Sequence, residues 1–226
     1  LTFRQTWAFV AGKFLTDPIW WFFLFWLPAF LAGENSRKVT AFRALNPLYT
    51  GSEADIFGVI SWPFAVAVVY TVSTFGSIFG GWLPKQLMNG GMSANKARKL
   101  SMFIFAIFPL SVLLASRLGA INTWLAVATI AIACSAHQAW SANIFTTVSD
   151  MFPKRTVASV TGIGGMAGAV GGMLIARLAG LLLKHFAELD KTEVGYGILF
   201  IICGSAYLLS WIIMHLLVPK FKMIVV

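Results

Sequence analysis

Six apolar stretches, each long enough to cross a bilayer, constrain this 226-residue chain more than any other feature. A hydrocarbon core about 30 Å thick takes about 20 mostly apolar helical residues to cross. The windows run over about 7–31, 56–82, 100–118, 123–148, 157–183 and 196–218, with ends good to about two to four residues. The second contains Pro63 and many β-branched residues, yet it too is expected to be helical. In lipid every backbone N–H and C=O needs a partner within the protein, and a helix supplies it. The expected fold is therefore an all-α integral membrane bundle of six transmembrane helices over residues 1–226, with no soluble domain.

Composition agrees. Charged residues are 11% of the chain, against about a quarter in soluble domains. Seventeen Lys and Arg against eight Asp and Glu leave a net charge of +9. That excess does not point to nucleic acid, because the cations are not gathered on one amphipathic element. Cytoplasmic loops retain Lys and Arg, which is the simpler reading. With both termini inside, the inner segments hold nine cations: Arg4, Lys85, Lys96, Arg98, Lys99, Lys154, Arg155, Lys220 and Lys222. The outer segments hold six: Arg37, Lys38, Arg43, Arg117, Lys184 and Lys191. Both termini are therefore expected to be cytoplasmic. Segment 83–99 becomes a cytoplasmic loop and 32–55 a long external loop, irregular or carrying a short surface helix. The chain begins at Leu1 and has no signal-peptide pattern, which reads as a piece of a longer protein. Cys134 and Cys203 both lie in apolar runs and suggest neither a disulfide framework nor a metal site.

Polar residues inside spans need reasons, since a charge at mid-membrane costs about 2.5–3.5 kcal/mol on insertion scales. Lys13 and Asp17 are four apart and can pair on one helix face. Pro18 lacks an N–H and leaves the Phe14 carbonyl without its usual partner, favouring a kink. An aromatic run follows, in which Trp21 is one turn beyond Asp17 on the same face. A sugar ring could stack there, although aromatics in a span more often face lipid or other helices.

The fourth span is the most polar, reading Cys134-Ser135-Ala136-His137-Gln138-Ala139-Trp140-Ser141-Ala142-Asn143. These donors and acceptors need neighbouring helices or a watery cavity. His137 and Ser141 share a face bordered by Gln138, whereas Asn143 points elsewhere. The fifth span carries Gly164, Gly168 and Gly172, continued by Ala176 and Gly180, a small-residue ridge suited to close helix packing. Gly76 and Gly80 form a shorter version in the second span. Arg177 interrupts the fifth span and either snorkels outward or clamps a carboxylate. No nucleophile elbow, phosphate loop or metal-ligand pairing occurs, so nothing asks for an enzyme.

Three stretches resemble a known family. Lys13-Phe14-Leu15-Thr16-Asp17-Pro18-Ile19-Trp20-Trp21-Phe22, with Phe25-Trp26-Leu27-Pro28, resembles the seventh helix of bacterial sugar-acid carriers. These belong to the anion:cation symporter branch of the major facilitator superfamily, and hexuronate transporters are the nearest likeness. Ala136 to Asn143, running on to Ser149-Asp150-Met151-Phe152-Pro153-Lys154, resembles their tenth helix and the loop after it. Val160-Thr161-Gly162-Ile163-Gly164-Gly165-Met166-Ala167-Gly168 resembles the eleventh.

The resemblance implies that the chain is the C-terminal six-helix bundle of a twelve-helix carrier, helices seven to twelve. It implies proton-coupled symport of a sugar acid, most readily a hexuronate, across the bacterial inner membrane. An aldonate, a dicarboxylate or a phosphate ester is the alternative cargo, and a non-transporting scaffold subunit the alternative role. The implied partners are the sugar-acid anion, a proton, the lipid bilayer and the N-terminal six-helix half. No cofactor is implied beyond the proton-motive force. Substrate-facing roles carry over to Trp21, His137, Gln138 and Ser141, and then to Asp17 and Gly165. Related carriers often have Asn where Gly165 stands. The superfamily loop pattern Gly-x-Leu-x-Asp-Arg appears as Gly81-Trp82-Leu83-Pro84-Lys85-Gln86, with Lys85 in place of the acid. Asp150 is expected to pair with Lys96, Arg98 or Lys99.

Overall fold

The computed structural model describes residues 2–224, so Leu1 lies outside the described residues. Among these residues, six helical segments are long and apolar enough to cross a membrane, as the six windows require. The segments are α1 (Arg4–Leu45), α2 (Trp62–Asn89), α3 with α4 (Ala94–Ile107 and Ala115–Ile121), α5 (Thr123–Met151), α6 (Lys154–Glu188) and α7 (Thr192–Leu217). No strand occurs among the described residues.

α5 occupies the middle of the bundle, with 61% of its most apolar window buried. α2 packs along one side of it through small residues. A side chain added at Gly76 would collide with the Ser135 backbone, and one at Gly80 would meet Ala139 Cα at 2.7 Å. Asn143 fastens the same contact by donating from Nδ2 to the Gly80 carbonyl at 2.7 Å and the Ala139 carbonyl at 2.9 Å. Its divergence from the His137 face is thereby explained.

The second seam joins α1 to α6. Gly164 accommodates the Phe9 ring, Gly168 the Asp17 carboxylate, Gly171 the Pro18 ring and Gly172 the Trp21 indole. The ridge read from the sequence is thus the surface on which α1 lies, with Gly171 as an added member. Gly165 is outside the seam and has nothing within 4 Å of where a Cβ would sit. α1 itself continues as helix through Pro18 and Pro28.

Four segment boundaries differ from the sequence reading. Residues 32–45, expected in the external loop 32–55, prolong α1. Glu34 pairs there with Arg37 at 2.6 Å and Lys38 at 3.7 Å, the spacings that favour a helix, and Asn46-Pro47 then ends it. α2 begins at Trp62 and not near residue 56, because Pro63 suits a first helical turn. The third span is interrupted by a 3₁₀ stretch over Phe108–Leu114, where Pro109 removes a helical donor. The expected loop 83–99 shrinks to 90–93, since helix persists to Asn89 and resumes at Ala94. Gly91 makes that turn with a φ of +89°, a conformation glycine adopts without penalty.

At the end holding the termini, Arg98 and Asp150 form the expected ion pair, with a second contact from Nη2 to Oδ1 at 3.3 Å. Lys99 Nζ donates to the carbonyls of Val218 at 2.5 Å and Pro219 at 2.8 Å. The Phe221 amide donates to Asn95 Oδ1 at 2.8 Å, and the Ile224 amide to the Met151 carbonyl at 2.9 Å. The tail after α7 is therefore tied across α3 and α5.

Candidate functional site

His137 lies on α5 and is buried to 6% exposure. Its Nδ1 is 2.7 Å from the Tyr207 hydroxyl of α7. One proton is shared along that line, and the tautomer sets which partner donates. Trp20 of α1 stacks over the imidazole with centroids 5.1 Å apart and planes 15° from parallel. Tyr70 of α2 also meets Trp20, edge-on at 5.6 Å, and its hydroxyl donates to the Phe23 carbonyl at 3.2 Å. Trp140, fully buried, closes on Tyr207 edge-to-face at 5.8 Å. Four spans thus contribute to one cluster around a single imidazole. Among the described residues the hydrogen-bond contact of the imidazole is through Nδ1, on the side of the ring away from Nε2.

The Lys13–Asp17 pair forms as the spacing requires, at 2.7 Å. Lys13 is 5% exposed, and its ammonium also lies 4.3 Å from the centroid of the Phe145 ring of α5. A cation on an aromatic face gains from the ring quadrupole, most of all where water is excluded. Asp17 has 20% of its side chain exposed and rests against Gly168. The charges are thus compensated in place, between α1, α5 and α6.

The remaining candidates are dispersed. Gln138 and Ser141 are half-buried on the face that carries His137. Trp21 turns to the other side of α1, against Gly172, and stacks on Phe25 at 5.8 Å. With 38% of its surface exposed, it does not join the His137 cluster. Gly165 and Arg177 are exposed on α6. The indole that reaches the histidine is Trp20, which the sequence reading passed over in favour of its neighbour. Spacing from Asp17 selected Trp21, and only the packing of α1 on α5 distinguishes two adjacent residues about 100° apart. Tyr70 and Tyr207 were also missed. Their signal was a phenol within an apolar span, where a hydroxyl needs a partner.

No family model matches the chain. Curated relatives do. The hexuronate transporter of Escherichia coli strain K12 is 27% identical over 184 residues, which is 79% of this chain and 37% of that protein. The probable galactarate/D-glucarate transporter GarP of the same strain is 23% identical over 197 residues, 87% of this chain and 39% of the relative. The chain is thus similar to transporters named for hexuronate and for galactarate/D-glucarate. It spans under two-fifths of the length of either relative. Six apolar helices accord with a six-span half of a major facilitator superfamily carrier, and the three resembling stretches lie on α1, α5 and α6. A buried His–Tyr pair beside a Trp face combines hydrogen-bonding groups with an apolar ring surface.

Proposed function

We propose that this chain is the C-terminal half of a proton-coupled sugar-acid symporter of the bacterial inner membrane, with its termini cytoplasmic and a hexuronate as its cargo. The observation that carries the reading is the His137 cluster. A histidine held by Tyr207 and stacked on Trp20 keeps a second ring nitrogen for a ligand hydroxyl. It does so inside a chain whose relatives include a hexuronate transporter.

The N-terminal half would supply charge recognition and proton coupling, and the two bundles would rock about a midplane site. Gln138 and Ser141 would add polar contacts on the same face of α5. Trp21, Asp17 and Gly165 would act at the margin of the cavity, next to the α1–α6 seam.

The test is uptake of radiolabelled glucuronate by cells expressing the full-length gene, with and without a protonophore. Loss of uptake with the protonophore, and with His137→Ala at equal membrane abundance, supports the symporter. Hexuronate uptake that survives His137→Ala removes this site from the reading. A sugar diacid is the second candidate cargo, favoured by the similarity to a probable galactarate/D-glucarate transporter. Competition by galactarate that exceeds competition by glucuronate would select it.

A further inference from the structure

α1 has 42 residues, so at 1.5 Å per residue it is about 63 Å long, twice the hydrocarbon thickness of about 30 Å. Its last part carries Glu34, Arg37, Lys38 and Arg43, a charge density that belongs in water. This end, opposite the termini, is rigidly built. Asn35 Nδ2 donates to the Ile60 carbonyl at 2.5 Å, and the Ile60 amide donates back to Asn35 Oδ1 at 3.2 Å. Lys38 donates to the Gly119 carbonyl, and the Thr123 hydroxyl donates to the Gly58 carbonyl at 2.6 Å. The segment from Glu53 to Trp62 is thereby held as a strap beside α1.

Between strap and helix lies a cavity of about 860 Å³, within the size range of small-molecule sites. Ser36, Thr40, Arg43, Glu53, Trp62 and Trp124 are among its lining residues. The two indoles remain 40% and 39% exposed, although each is large enough to gain from cover. Arg43 and Glu53 are paired at 2.9 Å with 55% of each side chain exposed. An exposed pair of this kind contributes little to stability and exchanges partners readily.

We infer that this cleft is a second sugar-acid site, a docking station before the central one, in which the substrate carboxylate replaces Glu53 on Arg43. The guanidinium accepts a carboxylate in two parallel hydrogen bonds. The Ser36 and Thr40 hydroxyls are placed for sugar hydroxyls, and Trp62 or Trp124 for the apolar ring face. The inference rests on the sugar-acid reading above.

It is tested by equilibrium binding of radiolabelled glucuronate to membrane vesicles containing the full-length protein, using Arg43→Gln, Glu53→Gln and His137→Ala. Arg43→Gln should weaken binding about tenfold or more, as loss of a charge-assisted pair does. Glu53→Gln should tighten it about threefold, since the competing carboxylate is gone. Glucose should not compete. Binding that survives His137→Ala yet falls with Arg43→Gln supports the docking site. Binding indifferent to both Arg43→Gln and Glu53→Gln overturns it while leaving the central site intact. Vesicles that bind no glucuronate, with no uptake by cells, overturn both readings.

Discussion

The imidazole of His137 and the phenol of Tyr207 meet at 2.7 Å in the interior of the bundle, joining α5 to α7. Both residues are buried, Tyr207 completely. Neither group can turn to water when the bond breaks, so each fixes the other. The consequence for the candidate site is positional: with Nδ1 committed to Tyr207 and one ring face committed to Trp20, the direction of Nε2 is set by packing and not by the ligand.

Tyr207→Phe is therefore expected to loosen the histidine without removing volume. Interhelical hydrogen bonds in membranes couple by about 0.6 kcal/mol on average and up to about 1.7, and this buried pair should lie toward the upper value. A double-mutant cycle of His137→Phe and Tyr207→Phe, read by unfolding in mixed micelles, measures it. Coupling indistinguishable from zero would show that the bond contributes nothing.

Two glycines on α6 one turn apart should behave in opposite ways. A methyl at Gly168 falls on the Asp17 carboxylate, whereas a methyl at Gly165 meets nothing within 4 Å. Overpacking of a tight seam costs about 1–3 kcal/mol. Gly168→Ala should lower the melting temperature of the detergent-solubilised chain, and Gly165→Ala should leave it unchanged. Equal melting of the two variants would contradict a tight α1–α6 seam at Gly168.

Breaking the Lys13–Asp17 pair on one side should be worse than deleting it. Asp17→Asn leaves the buried ammonium of Lys13 with the Phe145 ring alone. Unpairing a buried charge costs about 3–5 kcal/mol, and the residual exposure of Asp17 places the cost at the low end. Lys13→Met combined with Asp17→Asn should recover part of that loss. The yield of monodisperse protein in size-exclusion chromatography distinguishes these outcomes, and a double variant no better than Asp17→Asn alone would count against the pair.

The sequence disclosed what is periodic or local. Hydropathy located all six spans, spacing of four located the Lys13–Asp17 pair, and the need of Asp150 for a cation pointed to a group that contained Arg98. The small-residue ridge was legible too, and its role as a packing seam followed from size alone. Illegible were choices made by tertiary contact. Nothing local tells Trp20 from Trp21, because both follow Pro18 within one turn and only the approach of α5 selects one. The helical state of residues 32–45 was hidden by their charge, which reads as loop in a membrane chain yet here forms ion pairs along a helix. Pro109 was visible, but its effect depended on whether the chain would kink or tighten, and it tightened into 3₁₀ turns.

Lys99 should control access to the tail after α7. Its ammonium holds the carbonyls of Val218 and Pro219 and lies 3.3 Å from Nδ1 of His215, while its own carbonyl accepts a hydrogen bond from Trp211 Nε1 at 3.0 Å. Only the first set depends on the side chain. Lys99→Met keeps the stem and the backbone bond but removes the donors, so the tail should open more often while α3 and α7 stay packed. Proteolysis follows the population of the open form when closing is fast. Limited trypsin digestion should therefore cut after Lys220 and Lys222 several-fold faster in Lys99→Met than in the parent, with cleavage at Lys191 unchanged as the internal control. Mass spectrometry of the C-terminal fragments reads both. Parent-like rates at Lys220 and Lys222 would show that the Phe221–Asn95 and Ile224–Met151 bonds hold the tail without the lysine.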